Sequence, residues 1–171
     1  MNRFYKLALT AIALLCLTIS SPPSGTLAKA QQSAKTNLEI DLPEVVAEVK
    51  AAYDRYNQAV NSNNVAVLDA TFRNDPRTIR YGNAENLYGY KEIEAYRSAV
   101  RAAAGPPRTL SKTVITTYGR DFAVASTLTH RANAPGKVGR QMQTWVRLPE
   151  GWRVVAAHVS TIDVPLADRP Q

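Results

Sequence analysis

One cysteine occurs in 171 residues, Cys16, and it lies in an apolar leader. Without that leader the chain has no thiol. It cannot be stapled by disulfides or use thiolate chemistry, so packing must hold it. Histidine is nearly as scarce, with His130 and His158 alone. They stand far apart with no carboxylate cluster beside them, which argues against a metal site. There is no glycine-rich phosphate loop, no G-x-S-x-G elbow and no H-E-x-x-H pair, so the usual marks of nucleotide binding, serine hydrolysis and zinc proteolysis are missing. No cofactor is expected. No apolar run reaches the ~20 residues of a membrane-spanning helix, and no repeat or low-complexity tract interrupts the chain.

The first thirty residues read as an address. Arg3 and Lys6 precede the apolar run Leu7 to Ile19, Pro22-Pro23 breaks it, and Ala28-Lys29-Ala30 fits a small-x-small cleavage rule. Residues 1–30 are therefore expected to be a signal peptide cut near Ala30. The product would be periplasmic or secreted, with no stable membrane anchor. The net charge is +7, and the leader takes three positive charges with it to leave +4. The remaining Arg and Lys are interspersed with acids. That pattern speaks against nucleic-acid binding and fits either a small anionic ligand or a solvated basic surface.

Residues 31–171 suffice for one domain with a real core. A flexible leader is expected over 31–41. Leu42-Pro43 starts a helix carrying Val45, Val46, Val49, Ala52, Tyr53, Tyr56, Ala59 and Val60 at helical spacing. Asn63 or Asn64 can cap a second, short helix. After the Asp75-Pro76 turn come short extended pieces at Thr78–Tyr81 and Leu87-Tyr88, then a helix over Lys91 to Ala103. Everything beyond Arg108 is strand. Leu110 to Tyr118, Phe122 to Arg131, Gly139 to Arg147 and Trp152 to Ser160 form a meander whose last turn is Leu148-Pro149-Glu150-Gly151. Helices first and strands last predict an α+β domain over 42–163, with N-terminal helices packed in a curved, mainly antiparallel sheet, and a tail over 164–171.

Few residues offer chemistry. Arg80 sits between Ile79 and Tyr81. A guanidinium keeps its proton, so it must meet water or an anion, and its fork suits a carboxylate. An exposed strand arginine or an internal salt bridge would also satisfy it. Tyr53 and Tyr56 share the inner side of the first helix. Each is a candidate pocket hydrogen-bond donor, with core packing the alternative. Gln141, Gln143 and Trp145 share one strand face by period two and could form an amide-rich wall. His158 falls beside them after a two-residue turn, or behind them after a three-residue turn with a bulge.

These segments resemble the AtzH-like family of the nuclear transport factor 2-like (SnoaL-like) superfamily, associated with oxalurate and cyanuric-acid catabolism. The resemblance is carried by Leu42-Pro43-Glu44-Val45, Arg55-Tyr56, Asp75 to Gly82, Glu85 to Gly89, Thr116 to Gly119, Gly139 to Arg147 and Gly151 to Ser160. It implies a cone-shaped fold, a homodimer through the outer sheet face and a pocket inside the cone. It also implies hydrolysis of a small carboxylated urea, with Tyr56 and Arg80 as the essential groups. Family members are mostly cytoplasmic, and the export leader departs from that pattern. Two functions are carried forward: an exported, metal-independent amidohydrolase with Tyr56 and Arg80 catalytic and Tyr53, Gln141, Gln143, Trp145 and His158 binding substrate, or a non-catalytic module for a small anion.

Overall fold

The computed structural model describes residues 38–100 and 105–164. The expected signal peptide, residues 31–37 of the leader, the end of the 91–103 helix and residues 165–171 of the tail lie outside them. Helix α1 spans Pro43–Asn61, with proline in its first turn, and buries Val45, Val49, Ala52, Tyr53, Tyr56 and Ala59 along one stripe. Asn64 caps α2 (Val65–Thr71), its Oδ1 accepting from the Val67 amide at 3.2 Å. Two short strands follow, β1 (Ile79–Tyr81) and β2 (Asn86–Tyr88), then α3 (Tyr90–Val100) with Ile93 buried. The meander is β3 (Arg108–Tyr118), β4 (Phe122–Arg131), β5 (Lys137–Leu148) and β6 (Gly151–Asp163).

The six strands form one sheet in the order β2-β1-β6-β5-β4-β3. Only β1 and β6 run parallel; the other neighbours are antiparallel. The expected α+β architecture, helices held in a mainly antiparallel sheet, is the observed one. Residues Leu38 to Asp41, expected as the end of a flexible leader, instead pair with the outermost strand. The Asp41 amide donates to the Thr117 carbonyl at 3.1 Å, and Asp41 Oδ1 accepts from the Thr117 amide at 2.8 Å. Ile40 bridges Tyr118. These contacts occupy backbone groups that an edge strand would otherwise leave open.

The core sits between α1 and the inner face of the sheet. Trp145 is fully buried and meets Tyr53 edge-on, with ring centroids 6.4 Å apart. Phe72, Trp152, Val154, Ala123 and Ala125 complete this closed end. Asp75 fixes the entry to β1. Its carbonyl accepts from the Thr78 and Tyr90 amides, and its carboxylate accepts from the Arg77 amide and guanidinium. Those Arg77 bonds hold the Asp75 carboxyl well below the usual carboxylate range.

One irregularity decides which way β6 faces. Thr144 pairs with Ala156 but Trp145 pairs with Val154, so Val155 is an extra residue on β6. The turn itself is short, since Leu148 pairs directly with Gly151. A two-residue turn alone would have placed His158 beside the glutamines. The bulge reverses the alternation, and His158 pairs with Met142 on the outer face.

Candidate active site

The open end of the domain holds a cavity of about 560 Å³. Tyr56, Arg80, Gln141, Arg97, Arg108 and Arg131 all line it. Arg80 faces inward because β1 is in register with β6: Arg80 lies beside Ala157, an inner-face residue. Tyr56 descends from α1, almost fully buried, with its ring tilted against Phe72 at 6.3 Å. Gln141 enters from β5, and its Nε2 donates to the Tyr53 hydroxyl at 3.3 Å. Its Oε1 is buried without a partner among the described residues.

Arg80 is not a free cation. Its Nη1 donates to Glu85 Oε1, and its guanidinium lies 5.6 Å from the centre of the Tyr96 ring. Burial raises the Glu85 pKa, but the hydrogen bond and charge of Arg80 outweigh burial, and the net shift is downward. The Tyr96 phenol is raised, first by burial and then by the Glu85 charge. Gly82 makes this pairing feasible, because a Cβ there would collide with the Glu85 carboxylate. Arg97 is likewise neutralised, donating to Asp69 Oδ1 at 2.6 Å while stacked 4.3 Å over Phe72.

The expected wall of Gln141, Gln143 and Trp145 is partly realised. All three point to the inner face and are 2%, 1% and 0% exposed. Only Gln141 reaches the cavity; Gln143 and Trp145 lie deeper, under α1, where their side-chain polar atoms have no partner among the described residues. Tyr53 is a core residue rather than a cavity-lining one, and burial raises its phenol pKa. It therefore remains a neutral donor near pH 7. His158 does not join the site. It sits exposed on the opposite face, edge-on to Tyr81 with centroids 6.3 Å apart. The bulge at Val155 is the reason.

Sequence reasoning missed Arg108 and Arg131, which face each other across β3 and β4. Arg108 is only 8% exposed, and its Nη2 donates to Asn57 Oδ1 at 2.6 Å. Arg131 donates to the Pro106 carbonyl. Among the described residues no cluster of three His, Cys, Asp or Glu side chains could hold a metal.

What this arrangement can do is bind a small anion and polarise it. Charged donors converge on a half-enclosed space beside a phenol and an amide. Such preorganised donors act where charge develops during acyl-group chemistry.

The comparisons agree with this fold. A DUF3225-family protein of Pectobacterium atrosepticum is 56% identical over 72% of this chain and 95% of its own, with a TM-score of 0.69. A cystatin-like fold protein of Burkholderia xenovorans is 44% identical over 75% of this chain and 99% of its own, with a TM-score of 0.71. A nuclear transport factor 2-like protein of Pseudomonas putida shares the fold at 16% identity, with a TM-score of 0.61 over 74% of this chain and 92% of its own. No curated protein matches the sequence. The AtzH-like family model matches residues 38–165, a span that contains the whole described region. The chain belongs to the AtzH-like family.

Proposed function

We propose that the protein is an exported small-molecule enzyme that hydrolyses a small carboxylated urea or related amide in this cavity. The observation that carries the proposal is the convergence of Tyr56, Arg80 and Gln141 on one cationic, half-enclosed space. Among the described residues no side chain there is a ready nucleophile, so water attacks the carbonyl carbon. The new C–O bond forms as the carbonyl becomes an oxyanion facing the Arg80 guanidinium. The C–N bond then breaks, and the proton lost by water passes to the leaving nitrogen, with Tyr56 positioned to relay it. Gln141 orients the planar ligand. Donors of this kind contribute about 2.7–4 kcal/mol each to acyl-transfer transition states.

A binding module is the second reading. It is favoured by Glu85, the carboxylate beside Arg80, whose lowered pKa makes it a weak base. Thermal shift with ureas, carbamates, oxalurate and dicarboxylates, followed by mass analysis of each binder, separates the two. The enzyme reading expects a binder to be consumed with release of the cleaved amine. Binding without turnover for every stabilising compound would sink it.

The proposal includes a homodimer through the outer sheet face, in the periplasm or outside the cell. A continuous rung of Val114, Ser126, Met142, His158 and Tyr81 crosses five strands there. Val114, on the outermost strand, and Met142, on an interior one, are 57% and 56% exposed, an unusual amount of apolar side chain for one sheet face. Met142→Glu is expected to convert the dimer to a folded monomer in sedimentation velocity. A variant that still sediments as a dimer at micromolar concentration would refute this interface.

A further inference from the structure

Among the described residues four guanidiniums line the cavity, and two of them already have carboxylates: Arg80 has Glu85 and Arg97 has Asp69. No carboxylate among the described residues pairs with Arg108 or Arg131. They are cross-strand neighbours at the start of β3 and the end of β4, where like charges directly opposite oppose each other. Burial pulls the Arg131 pKa down, and the charge of Arg108 adds to that pull. Two cations have been brought together and partly dehydrated without a counter-ion among the described residues, an arrangement that costs stability unless an anion arrives.

The surroundings hold this pair in place without neutralising it. Asn61, on α1, accepts from the Arg108 amide and donates to the Arg108 carbonyl, both at 3.0 Å. One turn earlier, Asn57 donates its Nδ2 to the Tyr53 carbonyl at 2.9 Å, which turns its Oδ1 toward Arg108. An aspartate at position 57 would have neutralised Arg108. An asparagine fixes its direction and leaves its charge. Arg108 Nε remains buried and unpartnered among the described residues, in a side chain more than nine-tenths buried at the cavity wall. A buried donor of this kind is costly to leave unmade.

We infer that Arg108 and Arg131 form an anion seat for a small organic carboxylate, held in position by Asn57 and Asn61. The seat anchors one end of the ligand, and Arg80 and Tyr56 act on the rest. The inference rests on the reading that the cavity takes a small anion, and it does not require that the anion be hydrolysed. Planar two-point contact from guanidinium to carboxylate gives the seat its preference for carboxylates over halides.

Isothermal titration calorimetry of the purified protein with malonate and with chloride as competitor tests it. Wild-type protein is expected to bind malonate more tightly than chloride. Arg108→Gln and Arg131→Gln are each expected to weaken malonate at least 10-fold, and Arg55→Gln, outside the cavity, by less than 2-fold. Asn57→Asp is the sharper variant. It removes no arginine, yet the new carboxylate occupies Arg108 and should also weaken malonate at least 10-fold. It keeps the test decisive if Arg108→Gln does not fold. Malonate affinity unchanged in Arg131→Gln and Asn57→Asp, or no malonate binding by wild type, overturns the seat. Binding that depends on these residues without turnover of any compound would refute the hydrolase and keep the seat. Turnover that ignores them would do the reverse.

Discussion

Arg80→Met is expected, under the proposed hydrolysis of a carboxylated urea, to lower kcat/KM by about 100- to 1000-fold, the range for loss of one preorganised donor to a developing oxyanion. Arg80 earns this role by placement. Its strand is three residues long and registered on β6, with Ala157 beside it. Glu85 and the Tyr96 ring fix its side chain before any ligand enters. A guanidinium already held in place loses little freedom when it meets the substrate. Removing it also strands Glu85, which is partly buried, so stability will fall somewhat. Arg80→Lys separates these effects: it keeps a charge for Glu85 but loses the planar fork. It is expected to restore most of the melting temperature and little of the rate. Steady-state kinetics and thermal melts on both variants make the comparison. If both variants turn over within about 3-fold of wild type, Arg80 is only a structural ion pair and its catalytic assignment fails.

Trp145→Ala carries the largest expected effect on stability, about 3–5 kcal/mol. Trp145 is fully buried at the closed end, packed edge-on against Tyr53 between β4 and β6. Its neighbours on those strands are Ala123 and Val154, too small to collapse into the space it leaves. The melting temperature should fall by roughly 10 °C or more. Trp145→Phe should cost far less, because the indole N–H has no partner to lose among the described residues. Guanidinium denaturation of the two variants checks the contrast. A Trp145→Ala variant destabilised by under 1 kcal/mol would mean that this end of the domain is not the core.

Much of the fold was legible because its signals are local. The stripe Val45, Val49, Ala52, Tyr53, Tyr56 declares a helix face, and that face is the buried one. Period two put Gln141, Gln143 and Trp145 on one side of β5, where they lie. Depth was not legible. Whether a face residue meets a cavity or the core depends on what α1 lays over it, and that is a long-range contact. His158 was placed among the binding residues while its face stayed open, and nothing local marks the extra residue at Val155 that turns it outward. Arg108 and Arg131 were missed for a related reason. Tyr118 pairs with Phe122, and even counting from there would set Arg108 opposite Ala132. An irregularity between Ser111 and Val114, where Lys112 has φ 49°, shifts the register by one and makes the arginines partners. Asn57 and Asn61, four apart on α1, were the readable hint. Neutral amides among the apolar positions of a core-facing helix need partners.

The extra residue in β6 has a reach beyond His158. Alternation along a strand is a parity, and each bulge inverts it for everything downstream. β1 takes its orientation from the stretch of β6 beyond Val155, so β1 inherits the inverted parity. Ala157 and Arg80 face inward together, while His158 and Tyr81 face outward together. A shortening of β6 by one residue at Val155 would not merely trim a strand. It would exchange the two sets, presenting Tyr81 to the cavity and Arg80 to the opposite surface. The same residue also separates two regimes of the sheet: Trp145, Val154 and Trp152 are packed shut on one side of it, and Val159, Gln141 and Arg80 border open space on the other. A single added peptide unit thus lets one continuous strand serve a sealed core and a charged chamber, and it sets Arg80 among the arginines of that chamber.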